Sequence, residues 1–391
     1  MTPRLRGPDR GAIVWLVLVG AAYAIATFAV AAASEPRVDR AMELAVRLSQ
    51  GRLDLAVEPG ANDTLTVAGR TYQVLSPLPI VPHLVFVPFP GLWEASRWIV
   101  SAVVGISAAW LCLPLARAYG PGGNATWWIA AFGAFGTLLF SLAIRGNLYY
   151  LAHVEAFLFT LVALIEWRGR GRPWVVGLAI GLAALARPTL LLAAIPFAIA
   201  IGLSADRRSR ALVAFLAPLG ATALVAGLYN LARFGSPLET GYATSVLTYE
   251  HLARRRELGV FSFRHVPDNL ALLVGRGFDL RSTFPYLVPD DDGHSIVMTS
   301  PALLAAIGAG IRSRLPASLW VAALVVVVPV LLYYGGGGFR TYGHRYFLDV
   351  VPFLLALVAL AARAHFGALE KCLVVLSIAF VGYGLVWVLF R

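Results

Sequence analysis

Long apolar stretches separated by short polar ones run through the whole sequence. A helix needs about 20 apolar residues to cross a bilayer, and on this rule the pattern predicts about eleven transmembrane helices. Their approximate bounds are 11–33, 97–118, 125–144, 150–167, 174–187, 189–205, 211–231, 298–311, 317–334, 347–364 and 370–390. The first stretch follows three arginines as a signal peptide would, but it is long and shows no clear small-residue cleavage site, so we expect a retained anchor. The predicted fold class is an all-α polytopic membrane protein.

Basic residues occur in short clusters between the apolar stretches. The clusters are Arg168/Arg170/Arg172, Arg207/Arg208/Arg210, Arg312/Arg314 and Arg363/Lys371. Because cytoplasmic loops are enriched in Lys and Arg, a cytoplasmic N-terminus places all of these clusters on the cytoplasmic side. The non-cytoplasmic side then receives a first loop at 34–96 and a large loop at 232–297, both rich in polar, aromatic and acidic residues. This bias predicts a functional site on that face. No internal repeat divides the chain, so 1–391 is expected to form a single domain.

Composition agrees with a membrane protein. Of the 391 residues, 59% are hydrophobic and 14% are charged, and the mean hydropathy is +0.74. These values are too apolar for an ordinary soluble domain. The net charge of +11 lies in loops between apolar stretches, so nucleic acid is not an expected partner. Cys112 and Cys372 lie within apolar stretches, which leaves neither a disulfide framework nor a thiolate metal site.

A short amphipathic pattern follows the first apolar stretch. Over 38–49, apolar residues recur at helical spacing and charged residues take the other positions, which predicts a helix lying in the membrane interface. Asp39 stands at its start and Glu35 just before it. They either complement the helix dipole and pair with Arg37 and Arg40, or supply a carboxylate to a cavity above the transmembrane helices.

A series of short motifs is spread over nearly the whole chain. In order they are Asp39–Ala45, Gly51–Leu55, Asn62-Asp63, Gly69–Tyr72, Ser76–Pro79, Ala186–Thr189, Tyr229–Tyr242, Thr299–Pro301 and Gly343–Phe353. Together they resemble the bacterial GT-C membrane glycosyltransferases, the superfamily that includes protein O-mannosyltransferases and aminoarabinose transferases. The resemblance implies a GT-C fold with an external amphipathic helix after the first transmembrane helix.

The resemblance also implies an activity. It is transfer of a hexose or pentose, by inverting displacement, from a polyprenyl-phosphate donor to a lipid, glycan or protein acceptor. The expected place is the non-cytoplasmic face of a bacterial inner membrane. In this superfamily an acidic residue of the first external loop takes the acceptor proton, and Asp39 is the counterpart here. Better-known members carry an Asp-Glu pair at this point, whereas this chain has Glu35-Pro36-Arg37-Val38-Asp39, so Glu35 is the alternative base.

Arginines beside apolar stretches are candidates to bind the donor phosphate. A departing phosphate needs positive charge, and the guanidinium group matches phosphate geometry. Arg187 and Arg345, with Arg340 nearby, are predicted to supply it; the alternative is interfacial arginines that contact bulk phospholipid. Asp349 is expected to pair with Arg345, four residues earlier on the same helix face.

Other polar residues near apolar stretches are predicted to contact substrate. His153 and Glu155 are costly to bury in a membrane unless they line a polar cavity. Tyr149 and Tyr150 are predicted to stack on a sugar ring or to belong to an aromatic belt. The remaining predicted contacts are His344, Glu239 and Tyr242.

No cofactor is certain from the sequence. Asp290–Asp292 has an Asp-x-Asp spacing but lacks the alternating strands and helices of a nucleotide-sugar domain, so it is interpreted as an acidic turn. A divalent metal ion bound there, or shared by His294, His344 and Asp292, is the alternative.

Two other functions are also compatible with a protein of many transmembrane helices. A membrane transporter or lipid flippase should show paired halves with corresponding broken helices, and no such duplication is found. A polysaccharide polymerase or ligase shares the predicted architecture and the lipid-linked donor.

Overall fold

The computed structural model describes residues 10–56, 60–204, 207–284, 286–290, 293–338 and 341–390. These residues form fifteen α-helices: α1 (Arg10–Ala32), α2 (Arg40–Ser49), α3 (Trp93–Tyr119), α4 (Gly123–Phe135), α5 (Leu138–Ala143), α6 (Leu148–Arg168), α7 (Pro173–Ala186), α8 (Ala194–Ser204), α9 (Arg208–Phe234), α10 (Glu250–Glu257), α11 (Val266–Leu270), α12 (Ile296–Thr299), α13 (Arg314–Leu332), α14 (Val351–Ala361) and α15 (Ala368–Phe390). Two antiparallel hairpins pair β1 (Thr64–Val67) with β2 (Arg70–Gln73) and β3 (Asp279–Leu280) with β4 (Leu287–Val288). The chain is therefore mostly helical, and the hairpins are an addition to the all-α prediction.

Within the described residues, six helices are long and apolar enough to cross a membrane: α1, α3, α6, α9, α13 and α15. Shorter apolar helices, α7, α8 and α14, accompany them and indicate a multi-pass membrane protein. The predicted count of about eleven is not confirmed. The predicted span 125–144 is divided at Gly136 into α4 and α5, and Pro301 opens a 3₁₀ helix, Pro301–Ala309, within the predicted span 298–311. Glycine and proline interrupt the helical hydrogen bonds that a continuous span requires.

Helix α6 lies in the middle of the bundle, where it packs against α3 and α7, and α7 packs against α9. The Tyr119 hydroxyl of α3 donates to the Leu164 carbonyl of α6 at 3.0 Å. Small residues let α7 approach its neighbours closely, as is common between helices in a membrane. This packing holds the first turn of α6 and the end of α7 in fixed positions.

Gly177 lies at the closest approach of α7 to α9. A methyl group added there would come within 2.0 Å of the Phe215 carbonyl oxygen. Because the helices would have to separate, we expect Gly177→Ala to destabilise the protein by about 1–3 kcal/mol, measured as a lower apparent Tm in detergent. Gly220→Ala in α9 is the matched control, since no atom lies within 4 Å of its added methyl group. Equal Tm values for the two variants would contradict this account of the packing.

The segment between α1 and α3 contains α2, the β1–β2 hairpin and a 3₁₀ helix, Leu78–Phe86. Helix α2 occupies the position of the predicted amphipathic helix and buries one apolar face against the 3₁₀ helix. Its place relative to a membrane stays a prediction. The hairpin turns at Ala68-Gly69, where both residues have positive φ, 49° and 75°. Such turns match the twist of paired strands, and this one brings the residues before β1 next to those after β2.

Candidate active site

A cavity of about 730 Å³ lies at one end of the helix bundle. Its wall is built by the segment before α3, the first turns of α6, the residues after α7, the loop after α9 and the end of α13 with the residues that follow it. Charged and apolar side chains both contribute to the wall. The charged ones are Arg37, Asp63, Arg187, Glu239 and Arg345. A concave site of this size with a few convergent polar groups is typical of small-molecule and cofactor sites.

Six of the predicted substrate-binding residues line this cavity: Tyr149, His153, Arg187, Glu239, Tyr242 and Arg345. The structure therefore brings together side chains that are far apart in the chain, such as Tyr149 and Arg345. Glu155 and His344 are buried at 2% and 0% exposure and do not line the cavity. Glu155 lies two positions after His153 on α6, so it points to a different face of the helix. Arg340 lies outside the described residues.

Asp349 joins three elements beside the cavity. Its Oδ1 lies 2.9 Å from His153 Nδ1, and its Oδ2 accepts from Arg187 Nε at 3.1 Å and from the Thr189 hydroxyl at 3.2 Å. The carboxylate is fully buried. This network gives Arg187 a counter-charge and fixes the His153 ring on α6.

The predicted pairing of Asp349 with Arg345 is wrong. Residues 345–349 form a 3₁₀ helix rather than an α-helix. At three residues per turn, positions i and i+3 align and positions i and i+4 do not. Asp349 is therefore rotated toward Arg187, away from Arg345.

Arg345 lies on the cavity wall among aromatic rings. Its guanidinium carbon is 4.9 Å from the centre of the Tyr346 ring and 5.8 Å from that of the Tyr150 ring, and Nη2 donates to the Tyr346 hydroxyl at 2.9 Å. Its Nε is buried without a hydrogen-bond partner. Within the described residues no carboxylate lies at ion-pair distance from Arg345, in contrast to Arg187. Its positive charge is available to a ligand.

Neither predicted base lies on the cavity wall. Asp39 is the N-cap of α2, where its side chain accepts from the Ala41 amide at 3.3 Å, and Glu35 is exposed. Burial raises the pKa of Asp39, and the cap hydrogen bond and the nearby Arg97 oppose that shift. The geometry matches the helix-capping interpretation of Asp39, and a catalytic Asp39 or Glu35 stays a prediction of the resemblance.

The capping role of Asp39 can be measured. Asp39→Ala removes the side-chain acceptor and is expected to cost about 0.5–2 kcal/mol, whereas Asp39→Asn keeps an acceptor and should cost less. The comparison is made by apparent Tm in detergent. If both variants melted with the wild type, the cap would contribute nothing measurable.

Sequence reasoning missed several residues of the wall. They are Arg37, Asn62, Asp63, Asn147, Tyr333, Tyr334 and Tyr346. Asn147 is the N-cap of α6 and accepts from the Tyr149 amide at 2.9 Å, a signal that was readable as an Asn one residue before an apolar helix. Asp63 directly precedes the β1–β2 hairpin, and because this hairpin was not predicted, the place of Asp63 on the cavity wall could not be predicted either.

In the part of the chain that the structure describes, no three His, Cys, Asp or Glu side chains are grouped as metal ligands. His344 and His294 are buried, and Asp291 and Asp292 lie outside the described residues. The acidic turn therefore stays a sequence interpretation.

The whole fold has a counterpart among solved structures. ArnT from Cupriavidus metallidurans, whose crystal structure contains bound undecaprenyl phosphate, matches with a TM-score of 0.50 at 14% identity. The match covers 90% of this chain. The fold is ArnT-like. This match confirms the fold that the resemblance implied. The chain spans 60% of the length of that ArnT structure. No protein-family model and no curated protein matches the sequence.

Proposed function

We propose that the protein is a membrane glycosyltransferase that moves a sugar from a polyprenyl-phosphate donor to an acceptor in the cavity described above. The observation that carries the proposal is Arg345, a cation without a paired carboxylate in the described chain, on the wall of a partly apolar cavity. The ArnT-like fold supports the same conclusion, since that ArnT structure holds undecaprenyl phosphate.

The arginines of the cavity wall bind the donor phosphate. Arg345 donates to the phosphate and stabilises the negative charge that develops as the sugar departs. Arg37 lies on the same wall and has no carboxylate at ion-pair distance in the described residues. Arg187 is already paired with Asp349, so it contributes orientation and a smaller share of net charge. Guanidinium groups remain protonated and bind phosphate oxygens in pairs.

The sugar and acceptor are held by the rest of the wall. Tyr149 and Tyr242 offer ring faces and hydroxyl groups, and Glu239 offers a carboxylate. His153, fixed by Asp349, presents an imidazole edge to the same space. These groups suit the hydroxyl groups and apolar faces of a hexose or pentose. A lipid, glycan or protein hydroxyl is the proposed acceptor, and inversion follows from one direct displacement.

The side of the membrane follows from charge. Arg168 ends α6 and Arg314 begins α13, whereas the cavity lies at the start of α6 and the end of α13. By the positive-inside rule the arginine ends face the cytoplasm. The cavity then opens to the non-cytoplasmic side of a bacterial inner membrane, where polyprenyl-phosphate sugars meet envelope acceptors.

The test is turnover. Purified protein in liposomes is incubated with radiolabelled hexosyl and pentosyl undecaprenyl phosphates and a cell-envelope extract. We expect release of undecaprenyl phosphate together with label in an acceptor. If neither undecaprenyl phosphate nor labelled acceptor formed, and the intact labelled donor crossed the liposome membrane, the protein would be a transporter and the proposal would be wrong.

A further inference from the structure

Transfer to a hydroxyl acceptor needs a group that removes the acceptor proton. Among the described residues, the carboxylates on the cavity wall are Asp63 and Glu239, and the imidazole is that of His153. Asp39 and Glu35, the bases expected from the resemblance, lie off the wall. The candidate bases are therefore the side chains of Asp63, Glu239 and His153, which line the cavity.

The backbone of Asp63 is held by two separate loops. Its amide donates to the Val246 carbonyl at 2.8 Å, and its carbonyl accepts from the Val74 amide and from Gln73 Nε2, both at 2.9 Å. Its φ is 56°, in the left-handed region that aspartate and asparagine enter more readily than other residues with a side chain. Such rare backbone conformations persist only where the surrounding structure enforces them, and they are common at functional sites. The hairpin and the 236–249 loop together hold Asp63 on the wall.

The Asp63 side chain lies beside the first turn of α6. Its Oδ2 accepts from Asn62 Nδ2 at 2.8 Å, and the carboxylate hydrogen-bonds with the Tyr149 hydroxyl. The next residue of that turn, Tyr150, lies under the Arg345 guanidinium. Asp63 and Arg345 both line the cavity, and the charge of Arg345 acts on the Asp63 carboxylate. A base must lie close to the anomeric carbon, which is one oxygen away from the donor phosphorus.

The two competitors are less suited to this role. Glu239 Oε1 accepts from the Gly241 amide at 2.6 Å, so that carboxylate is turned back on its own loop. His153 Nδ1 lies 2.9 Å from Asp349 Oδ1, so one of its two ring nitrogens is already engaged in the network with Arg187. Asp63 is hydrogen-bonded to the side chains of Asn62 and Tyr149, and the charge of Arg345, the proposed phosphate ligand, acts on it.

We propose that Asp63 is the general base of the transfer reaction; this assignment rests on the proposed function. Asp63 takes the proton of the acceptor hydroxyl while the acceptor oxygen forms a bond to the anomeric carbon. The bond from that carbon to the phosphate oxygen breaks, and its electron pair leaves with polyprenyl phosphate, which Arg345 binds. The proton then passes from Asp63 to solvent.

The surroundings of Asp63 suit a base. Burial raises the pKa of the Asp63 carboxyl, and the Tyr149 hydrogen bond and the charge of Arg345 partly oppose the rise. The charged groups that act on it, besides Arg345, are Arg40 and Arg256. A carboxylate with a raised pKa binds the acceptor proton more readily. Because the reaction needs the ionised form, the rate should fall as pH decreases through this raised pKa.

The experiment compares Asp63→Asn with Glu239→Gln and Asp39→Asn in the turnover assay. Asparagine keeps the shape and the left-handed conformation but cannot take a proton. We expect Asp63→Asn to reduce turnover by about 10²–10⁴-fold, with undecaprenyl phosphate still bound, as measured by native mass spectrometry. Asp39→Asn should retain turnover within about 10-fold. Glu239→Gln, which alters a proposed sugar contact, should raise KM more than it lowers kcat. Asp63→Glu should recover part of the loss and keep the acid limb of the pH profile.

Two results would overturn the assignment. The first is an Asp63→Asn variant as active as the wild type, and the second is one that loses undecaprenyl phosphate binding together with turnover, which indicates a structural role. Wild-type protein that neither binds undecaprenyl phosphate nor turns over any donor refutes the proposed function itself. That outcome is distinguishable from the other two, because in both of them the wild-type enzyme is active.

Discussion

Replacing Asp349 by asparagine is expected to destabilise the protein by about 2–4 kcal/mol, because it leaves the Arg187 charge, only 16% exposed on the cavity wall, without a counter-charge. The carboxylate is fully buried and receives hydrogen bonds from Arg187 and Thr189 and contacts His153. Asparagine keeps the size of the side chain and removes only the charge. The apparent Tm in detergent measures the loss, and turnover should fall as well, since Arg187 and His153 lose their common anchor.

Glu250→Gln is the matched control for Asp349→Asn. It also removes one carboxylate from an arginine, but the Glu250–Arg254 pair on α10 is exposed, at 78% and 73% of the side-chain surface. Solvent screens such pairs, so its effect should stay within about 0.5 kcal/mol. A second comparison removes both charges in Arg187→Met/Asp349→Leu, which should melt above Asp349→Asn if the uncompensated charge causes the damage. A Tm for Asp349→Asn equal to that of Glu250→Gln would contradict the account of this network.

Replacing Arg345 by glutamine is expected to weaken binding of undecaprenyl phosphate by about 30- to 4000-fold, which corresponds to the 2–5 kcal/mol typical of a lost buried charge partner. Arg345 is a largely buried cation of the wall with no carboxylate at ion-pair distance among the described residues, so a bound phosphate would supply its counter-charge. Arg345→Lys keeps the charge but loses the fork of donors and should give an intermediate loss. The dissociation constants for undecaprenyl phosphate of the wild type, Arg345→Gln and Arg345→Lys are measured by titration with native mass spectrometry.

Arg312→Gln is the control for Arg345→Gln. Arg312 is exposed just before α13, at the opposite end of that helix from the cavity. Its loss changes the net charge equally and should leave the affinity unchanged. If both variants lost the same affinity, the binding would be general attraction of a basic protein for an anionic lipid.

The parts of the fold that sequence predicts best are those decided by composition over a long stretch. Helices α1, α3, α9 and α13 coincide with apolar stretches because any arrangement must keep them away from water. Other stretches were less predictable. The stretch 125–144 contains no charged residue, yet it is divided at Gly136 and at Thr137, which caps α5. Apolar character alone carries no signal for such a break.

The candidate site was predictable where polar residues stand beside apolar stretches, as with His153, Arg187 and Arg345. It was not predictable where position depends on local backbone geometry. The Asp349 partner changed because 345–349 is a 3₁₀ helix, and Asp63 reaches the wall only through the β1–β2 hairpin and a left-handed φ. An aspartate at the start of a helix, such as Asp39, fits both a helix cap and a catalytic base, so the sequence alone does not separate the two roles.

Arg345 is expected to hold the phosphate of a polyprenyl phosphate bound in this cavity. An experimental structure of the protein with undecaprenyl phosphate would show where the phosphate binds. The account predicts phosphate density inside the cavity, with an oxygen within hydrogen-bond distance of the Arg345 guanidinium and the polyprenyl chain along its apolar wall. A phosphate bound elsewhere, with the lipid at full occupancy and Arg345 facing away from it, would contradict the account.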